Sequence, residues 1–263
     1  MNEKSYFRLE IGSRTDVGRV RKNNEDACRA SSSLNLFIIS DGMGGQSHGE
    51  TASAIAADTI TAQCSNTSAS DEASPPNDDV QTRDYSEKTK RLASAVRLAN
   101  RNIYQAALND LQFRGMGATV VAAWLEGSSL SLVHVGDSRA YLFRGGVLQC
   151  LTADHTLVAE QVRRGLIAPE QARLSKMQSV LIRALGIQEQ VILDAAEYSL
   201  LDQDVVLLCS DGLTRMVTDT ELTKVLLEVA DAQSTADHLV SLANSHGGED
   251  NVSVIVVHVK ESK

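Results

Sequence analysis

Four aspartates in this chain each abut a strongly apolar run, and carboxylates placed that way point to metal chemistry with oxygen ligands. LFIISDGMGG runs into Asp41, SLVHVGDSR into Asp137 and VVLLCSDGL into Asp211, while GGEDNVSVIVV begins its run just after Asp250. In an antiparallel sheet, a strand ending on Asp and a neighbour starting with Asp present both carboxylates at the same edge. One such Asp is ordinarily a turn-former or a helix cap. Four of them point to convergence. Clustered carboxylates resist ionising together unless a cation neutralises them. Oxygen-only ligand sets favour Mg or Mn over zinc, and no histidine stands in ligand spacing to any of the four. His155 in ADHT and His246 in NSHGGED read as polar loop residues.

Two metal ions sharing carboxylates activate a water at neutral pH and clamp the oxygens of an in-line displacement at phosphorus. Such a site also needs a cation for the free phosphate oxygens, and the planar fork of an arginine suits it. Arg21, ahead of the acidic pair Glu25 and Asp26, is the candidate. The glycines after Asp41 invite a second reading, because GGQSHGET has the G-x-x-x-x-G spacing of a phosphate-cradling loop. Glu50 occupies the place of that loop's lysine and would repel the phosphates, so the nucleotide reading fails.

The elements that must position these residues can be read in order. FRLEIGSRTDVG alternates like a strand, and VRKNNEDACRA is a polar loop feeding a second strand. The apolar run Leu36 to Ile39 is a third strand, taken to stop at Asp41. ETASAIAADTITAQ keeps helical spacing with Ala52, Ile55, Ala56 and Ile60 on one face, and a second helix carries Leu92, Val96, Ala99, Ile103, Ala107 and Leu111. Between them, about 65–87 is polar and acidic with Pro75 and Pro76 adjacent, which reads as a flexible surface loop. GATVVAAWLEG, SSLSLVHVGD and RAYLFRGGVLQCLT follow as a meander of antiparallel strands. Residues about 155–183 read as short helical pieces, one opened by Pro169, forming a flap between strands. Strands VILDAAEYSL and DVVLLCSD, helices DTELTKVLLEVA and STADHLVSLANSH, and strand NVSVIVVHV close the chain. Grouped antiparallel strands with paired helices before and after predict an α+β layered sandwich.

At 263 residues with 43% hydrophobic content, the chain can bury a sizeable core, and only three prolines and no repeat argue for one domain over 1–263. The formal charge of −9 disfavours nucleic acid or an anionic membrane as partner. Cys28, Cys64, Cys150 and Cys209 are far apart, so neither zinc nor a dithiol centre is indicated, and Cys209 within VVLLCS reads as a buried small hydrophobe. The amino terminus has no apolar leader and no run approaches a membrane span. A cytoplasmic, reduced protein is the expectation.

R-K-N-N-E-D, DGMGG, GMGATVV, VGDSRAYL, LTADHT, RALG, SDGL and EDN occur in that order. Singly each is weak; in register they are specific. The chain resembles the metal-dependent serine/threonine protein phosphatases of the 2C type, in their compact bacterial form, from about residue 11 to residue 258. The resemblance implies a four-layer α-β-β-α sandwich of two antiparallel sheets flanked by helices, with two Mn or Mg ions at one end. It implies that Asp41 bridges both metals, Gly42 offers a backbone carbonyl, and Asp211 and Asp250 serve the second ion. Asp137 would hold a weaker third ion, shared with Asp211. Arg21 would bind phosphate, and Glu25 and Asp26 would order metal-bound waters. Two positions depart from the pattern of some relatives. Met43 stands where some have a histidine thought to protonate the leaving alkoxide, and Gln46 follows DGMGG where many bacterial members have His.

The function so implied is hydrolysis of phosphoserine and phosphothreonine in proteins by a metal-bridging hydroxide, opposing a serine/threonine kinase, by a monomer. The rival reading is a catalytically silent phosphoprotein-binding module on the same fold. A missing acidic ligand would favour that rival, and none is missing.

Overall fold

The computed structural model of the chain describes residues 7–44, 48–66, 84–175 and 177–261. Most of the acidic stretch read as a loop (67–83), and Gln46, lie outside the described residues.

Two antiparallel sheets lie face to face. The first has the order β1 (Phe7–Asp16), β11 (Val252–Glu261), β10 (Val205–Cys209), β7 (Arg139–Arg144) and β8 (Val147–Cys150). The second has the order β2 (Asp26–Ser31), β3 (Leu36–Met43), β5 (Val120–Glu126), β6 (Ser129–Val135) and β9 (Asp194–Ser199), with β4 (Gly117–Ala118) beside the end of β3. Helices α1 (His48–Ser65) and α2 (Glu87–Asn109) cover the second sheet, and α6 (Asp219–Glu228) and α7 (Ala232–Ser245) cover the first. This is the expected four-layer α-β-β-α sandwich.

Period-two alternation divides each strand between two cores. In β3, Leu36 and Ile38 pack under α1 and α2, whereas Phe37 and Ile39 enter the sheet-to-sheet interface. In β10 and β11, Val206, Leu208, Ile255 and Val257 face that interface, and Leu207, Cys209, Val254 and Val256 face α6 and α7. Both faces are buried, so these strands read as unbroken apolar runs instead of alternating ones. Cys209 is fully buried, as expected.

The helices begin where the sequence offers caps. The Ser86 hydroxyl accepts from the Thr89 N–H to start α2, and Thr218 with Glu221 forms a reciprocal capping box at α6. Along α2, Leu92, Val96, Ala99 and Ile103 are buried. Leu111, read as the last residue of that apolar face, instead lies in a short 3-10 turn (Leu111–Phe113) and is 81% exposed. Asp110 ends the helix first, its side chain accepting from Gln112.

Two strand readings need correction. β3 does not stop at Asp41 but continues through Gly42 and Met43, which pair with Ala118 and Gly117. The run GATVV is not one strand, because Thr119 interrupts it between β4 and β5. The two departures share a cause. Thr119 donates its N–H to the Asp41 carbonyl at 2.8 Å and takes the Asp41 N–H on its hydroxyl at 3.1 Å. The ladder therefore bends at Asp41, much as a bulge re-aims a side chain.

Between β8 and β9 the chain forms the short helices α3 (Leu157–Arg163) and α4 (Pro169–Arg173). It then returns beside its own departure point, with Thr156 bridged to Leu181. Among the described residues no helix is long and apolar enough to cross a membrane.

Candidate metal centre

Sheet topology brings the four aspartates to one end of the sandwich. β3 and β6 both pair antiparallel with β5, so they run the same way and deliver Asp41 and Asp137 to one edge of the second sheet. β10 and β11 are antiparallel, so Asp211 just past β10 and Asp250 just before β11 meet at the corresponding edge of the first. Asp26 opens β2 directly opposite Asp41. Arg21, Glu25, Asp41, Gly42, Met43, Thr119, Asp137, Asp211, Arg215 and Asp250 line one cleft of about 580 Å³. Ser179 and Leu181 close it from the flap side.

Glycines make the close approaches possible. A Cβ on Gly42 would lie 2.0 Å from the Gly49 carbonyl oxygen, and one on Gly212 would lie 2.0 Å from that of Asn251. Any side chain at either position would push apart the segments carrying Asp41 or Asp211 and Asp250.

The carboxylates at this end are held out of water and repel one another. Burial, then the charges of Asp26, Asp211, Asp137 and Asp250, push the Asp41 carboxyl well above its ordinary range. Burial raises Asp26 to about 7 against hydrogen bonds from Ser253 and Ser210 that lower it. Burial, with Asp211 and Asp154 nearby, raises Asp137 to about 8. Burial and then Asp250 raise Asp211, partly offset by Arg215. Asp26 Oδ1 and Asp211 Oδ1 are buried with no hydrogen-bond partner. The nearby arginines reach only the rim. Arg21 donates to Asp250 Oδ2 at 2.8 Å, and Arg215 Nη1 lies 3.6 Å from Asp250 and 3.5 Å from Asp211. Among the described residues no lysine or arginine pairs with Asp26, Asp41 or Asp137. Buried acceptors without donors and carboxylates without counter-charge fit a hard divalent cation.

Several residues that build this end carry no assignment from sequence. Asn251, 4% exposed, accepts from the Glu25 N–H at 2.8 Å and donates to the carbonyls of Val17 and Asn23, which pins the Arg21–Asp26 loop against β11. Ser210 donates to Asp26 Oδ2 at 2.8 Å. Asn251 and Ser210 adjoin singled-out aspartates, but only the tertiary pairing of loops and strands gives them partners. Arg215 was legible in principle, one turn after Asp211 on α5 (Asp211–Thr214) and its continuation. His155 does lie in a loop, between β8 and α3, but that loop is internal: the residue is wholly buried and stacked on His134 at 4.7 Å. His246 is partly exposed, with Nδ1 2.8 Å from the Met216 carbonyl.

The family model "Protein phosphatase 2C" matches residues 18–245. The chain belongs to the protein phosphatase 2C family. It is 36% identical over 247 residues to the serine/threonine phosphatase stp of Listeria monocytogenes, with 93% of each chain covered. The crystal structure of the Mycobacterium tuberculosis serine/threonine phosphatase PstP/Ppp superposes with a TM-score of 0.84 at 34% identity, over 96% of this chain and 99% of that one. The PstP catalytic domain solved in complex with two manganese ions is similar at a TM-score of 0.79 and 34% identity, over 96% of this chain and 99% of that one. This member is accordingly a metal-dependent serine/threonine phosphatase, and the reading of a silent binding module gives way.

Proposed function

We propose that the cleft hydrolyses phosphoserine and phosphothreonine in proteins with two divalent cations, Mn or Mg, held by Asp41, the Gly42 carbonyl, Asp211 and Asp250. A weaker third cation is assigned to Asp137 with Asp211. The observation that carries this reading is the convergence of Asp41, Asp137, Asp211 and Asp250 on one cleft, with Asp211 Oδ1 buried and unpartnered among them. Bound there, such cations supply charge neutralisation for phosphate oxygens and a water acidic enough to act as nucleophile at neutral pH.

The chain's own groups do the rest. Arg21, its side chain 52% exposed at the cleft mouth, orients the phosphate with its guanidinium fork. Glu25, anchored through its backbone by Asn251, and Asp26, held by Ser210, order water beside the nucleophile. Met43 lines the cleft next to Gly42 and has no proton to give, so no side chain acts as general acid at that position.

The same reading takes residues 1–263 as one catalytic domain with a flap at 155–183, acting in the cytoplasm as a monomer on phosphoproteins made by a serine/threonine kinase. Nucleic acid is not a partner, since the net charge is −9. The test is phosphate release from a phosphothreonine peptide by purified protein with Mn, with Mg and with EDTA. Turnover that needs the metal is expected. A folded protein inactive with every metal would overturn the proposal.

A further inference from the structure

We propose that His155 is a positioning residue that couples the flap to the Asp137 carboxylate by clasping Gly136 between them. The proposal deepens the assignment of Asp137 to a cation.

His155 holds Gly136 at two points. Its backbone N–H donates to the Gly136 carbonyl at 2.9 Å, and its ring Nδ1 accepts the Gly136 N–H at 3.1 Å. Only glycine fits at this point, because Gly136 sits at φ +104° and a Cβ there would lie 2.6 Å from the Thr119 side chain, so its backbone is packed directly on Thr119. The residue after it is Asp137. Thr119, on the other side, makes both backbone contacts to Asp41 and lies 2.7 Å from the Ser138 hydroxyl. A shift at Gly136 therefore reaches both carboxylates delivered by the second sheet.

The flap leaves and returns at the same residue. Ile182 donates its N–H to the His155 carbonyl at 2.9 Å, and Leu157 donates to the Val180 carbonyl at 2.8 Å. The bridge from Thr156 to Leu181 lies between them, and Leu181 itself lines the cleft. The far side of the ring is anchored too. His155 Nε2 is 3.3 Å from Asp194 Oδ2, and Arg183 donates to Asp194 Oδ1 at 3.0 Å.

His134, His155 and Asp194 bring three possible ligand atoms within 4.8 Å, but the hydrogen bonds exclude a metal there. Nδ1 accepts from Gly136 and so bears no proton. The ring proton is then on Nε2, donated to Asp194, and cannot give way to an ion without losing the clasp. Arg183 Nη1, 3.3 Å from Nε2, already supplies the cation. The cluster is a joint, not a second metal site.

Two substitutions separate the ends of the ring. His155→Asn keeps an acceptor near Nδ1 and loses the donor to Asp194; His155→Gln keeps a donor near Nε2 and loses the acceptor for Gly136. The readouts are amide hydrogen exchange at 134–139 and 177–183, and calorimetric titration with Mn. Faster exchange in both segments is expected for His155→Gln, with the weaker Mn phase displaced about tenfold, the usual size for loss of an outer-shell partner. For His155→Asn, faster exchange is expected at the flap alone, with the Mn phase within about twofold of wild type. Should His155→Gln not fold, Asp194→Asn serves, loosening 177–183 while 134–139 stays protected. Equal behaviour of the two histidine variants at 134–139, or no change in either, would overturn the coupling. If Asp137→Asn leaves the Mn titration unchanged while the exchange pattern holds, the cation assignment falls and the coupling stands.

Discussion

β10 carries an aspartate at each end, and the two ends solve opposite problems. Asp204, just before the strand, has a side chain only 1% exposed, yet Arg144 grips both of its oxygens at 2.8 and 2.6 Å and the Leu201 N–H donates to one of them. Asp211, just after the strand, keeps a buried oxygen with no partner and faces other carboxylates. The same residue type on the same strand is fully neutralised by the chain at one end and only partly at the other, where Arg215 reaches one oxygen at 3.5 Å. The difference between a satisfied and an unsatisfied carboxylate is visible without reference to any relative, and it is what the proposed metal role of Asp211 rests on. Burial alone does not make the distinction, because both side chains are mostly out of water, at 1% and 14% exposure. How fully the fold supplies the counter-charge does: Arg144 grips both oxygens of Asp204, whereas Arg215 stands 3.5 Å from one oxygen of Asp211 and the other has no partner.

The sharpest way to break the comparison is to remove one charge from each end. Asp211→Asn should lower kcat/KM on a phosphothreonine peptide by about a thousandfold, the scale of several kcal/mol of transition-state charge stabilisation. Thermal melting without metal should be no lower than wild type at pH 8, because a repelling charge has been deleted. Asp204→Asn should do the reverse. Breaking a buried pair costs about 3–5 kcal/mol, reduced here to about 2–3 because Arg144 is partly exposed. Urea unfolding should show that loss, with kcat/KM near wild type under folding conditions. Equal effects on activity would erase the distinction between the ends.

The placement of both ends was unevenly legible from sequence. Asp41, Asp137, Asp211 and Asp250 declared themselves because each interrupts an apolar run, and antiparallel pairing then carries them to one edge. The four-layer fold was legible for the same reason, since strands buried on both faces leave continuous apolar stretches. Thr119 was hidden inside GATVV, where a β-branched residue looks like any strand position; its role comes from a pairing with Asp41 across 78 residues. The loop position of His155 was legible in DHT, but its burial was not, since that depends on His134 and on the returning flap. Leu111 failed in the other direction, as a helical period was extended past an aspartate that ends the helix.

The comparison also has a pH signature. Burial, with neighbouring carboxylates, pushes the Asp26 carboxyl up to about 7 and that of Asp137 up to about 8, from an ordinary 3.8. Between those limits the folded state holds protons that the unfolded state has released. Their contribution is fully present below about pH 4 and is lost as pH rises through 7 to 8. Metal-free protein should therefore melt roughly 5 °C or more lower at pH 8.5 than at pH 5.5. Added Mn should reverse the trend, stabilising more as pH rises, because it competes with those protons. Differential scanning calorimetry with EDTA and with Mn reads both slopes. A metal-free melting temperature that climbs over this range would mean that the cluster finds its counter-charge within the chain.

The finest contrast lies within Asp26 itself, where Oδ2 takes the Ser210 hydroxyl and Oδ1 has no partner. Ser210 also accepts the Ser253 N–H at 2.9 Å, so one buried hydroxyl ties the acidic loop to β11. Ser210→Ala would strand that N–H and remove a bond that favours the charged form of Asp26, and each such loss costs about 1 kcal/mol. Urea unfolding should register a deficit of that size in metal-free protein. Removing the bond also pushes the Asp26 carboxyl further up, so half-maximal Mn activation should move to higher pH while saturating activity changes only a few fold. If Ser210→Ala instead abolished activity at every pH and Mn concentration, the hydroxyl would belong to the reacting centre, and the line between the groups that build this end and those that act in it would have to be redrawn.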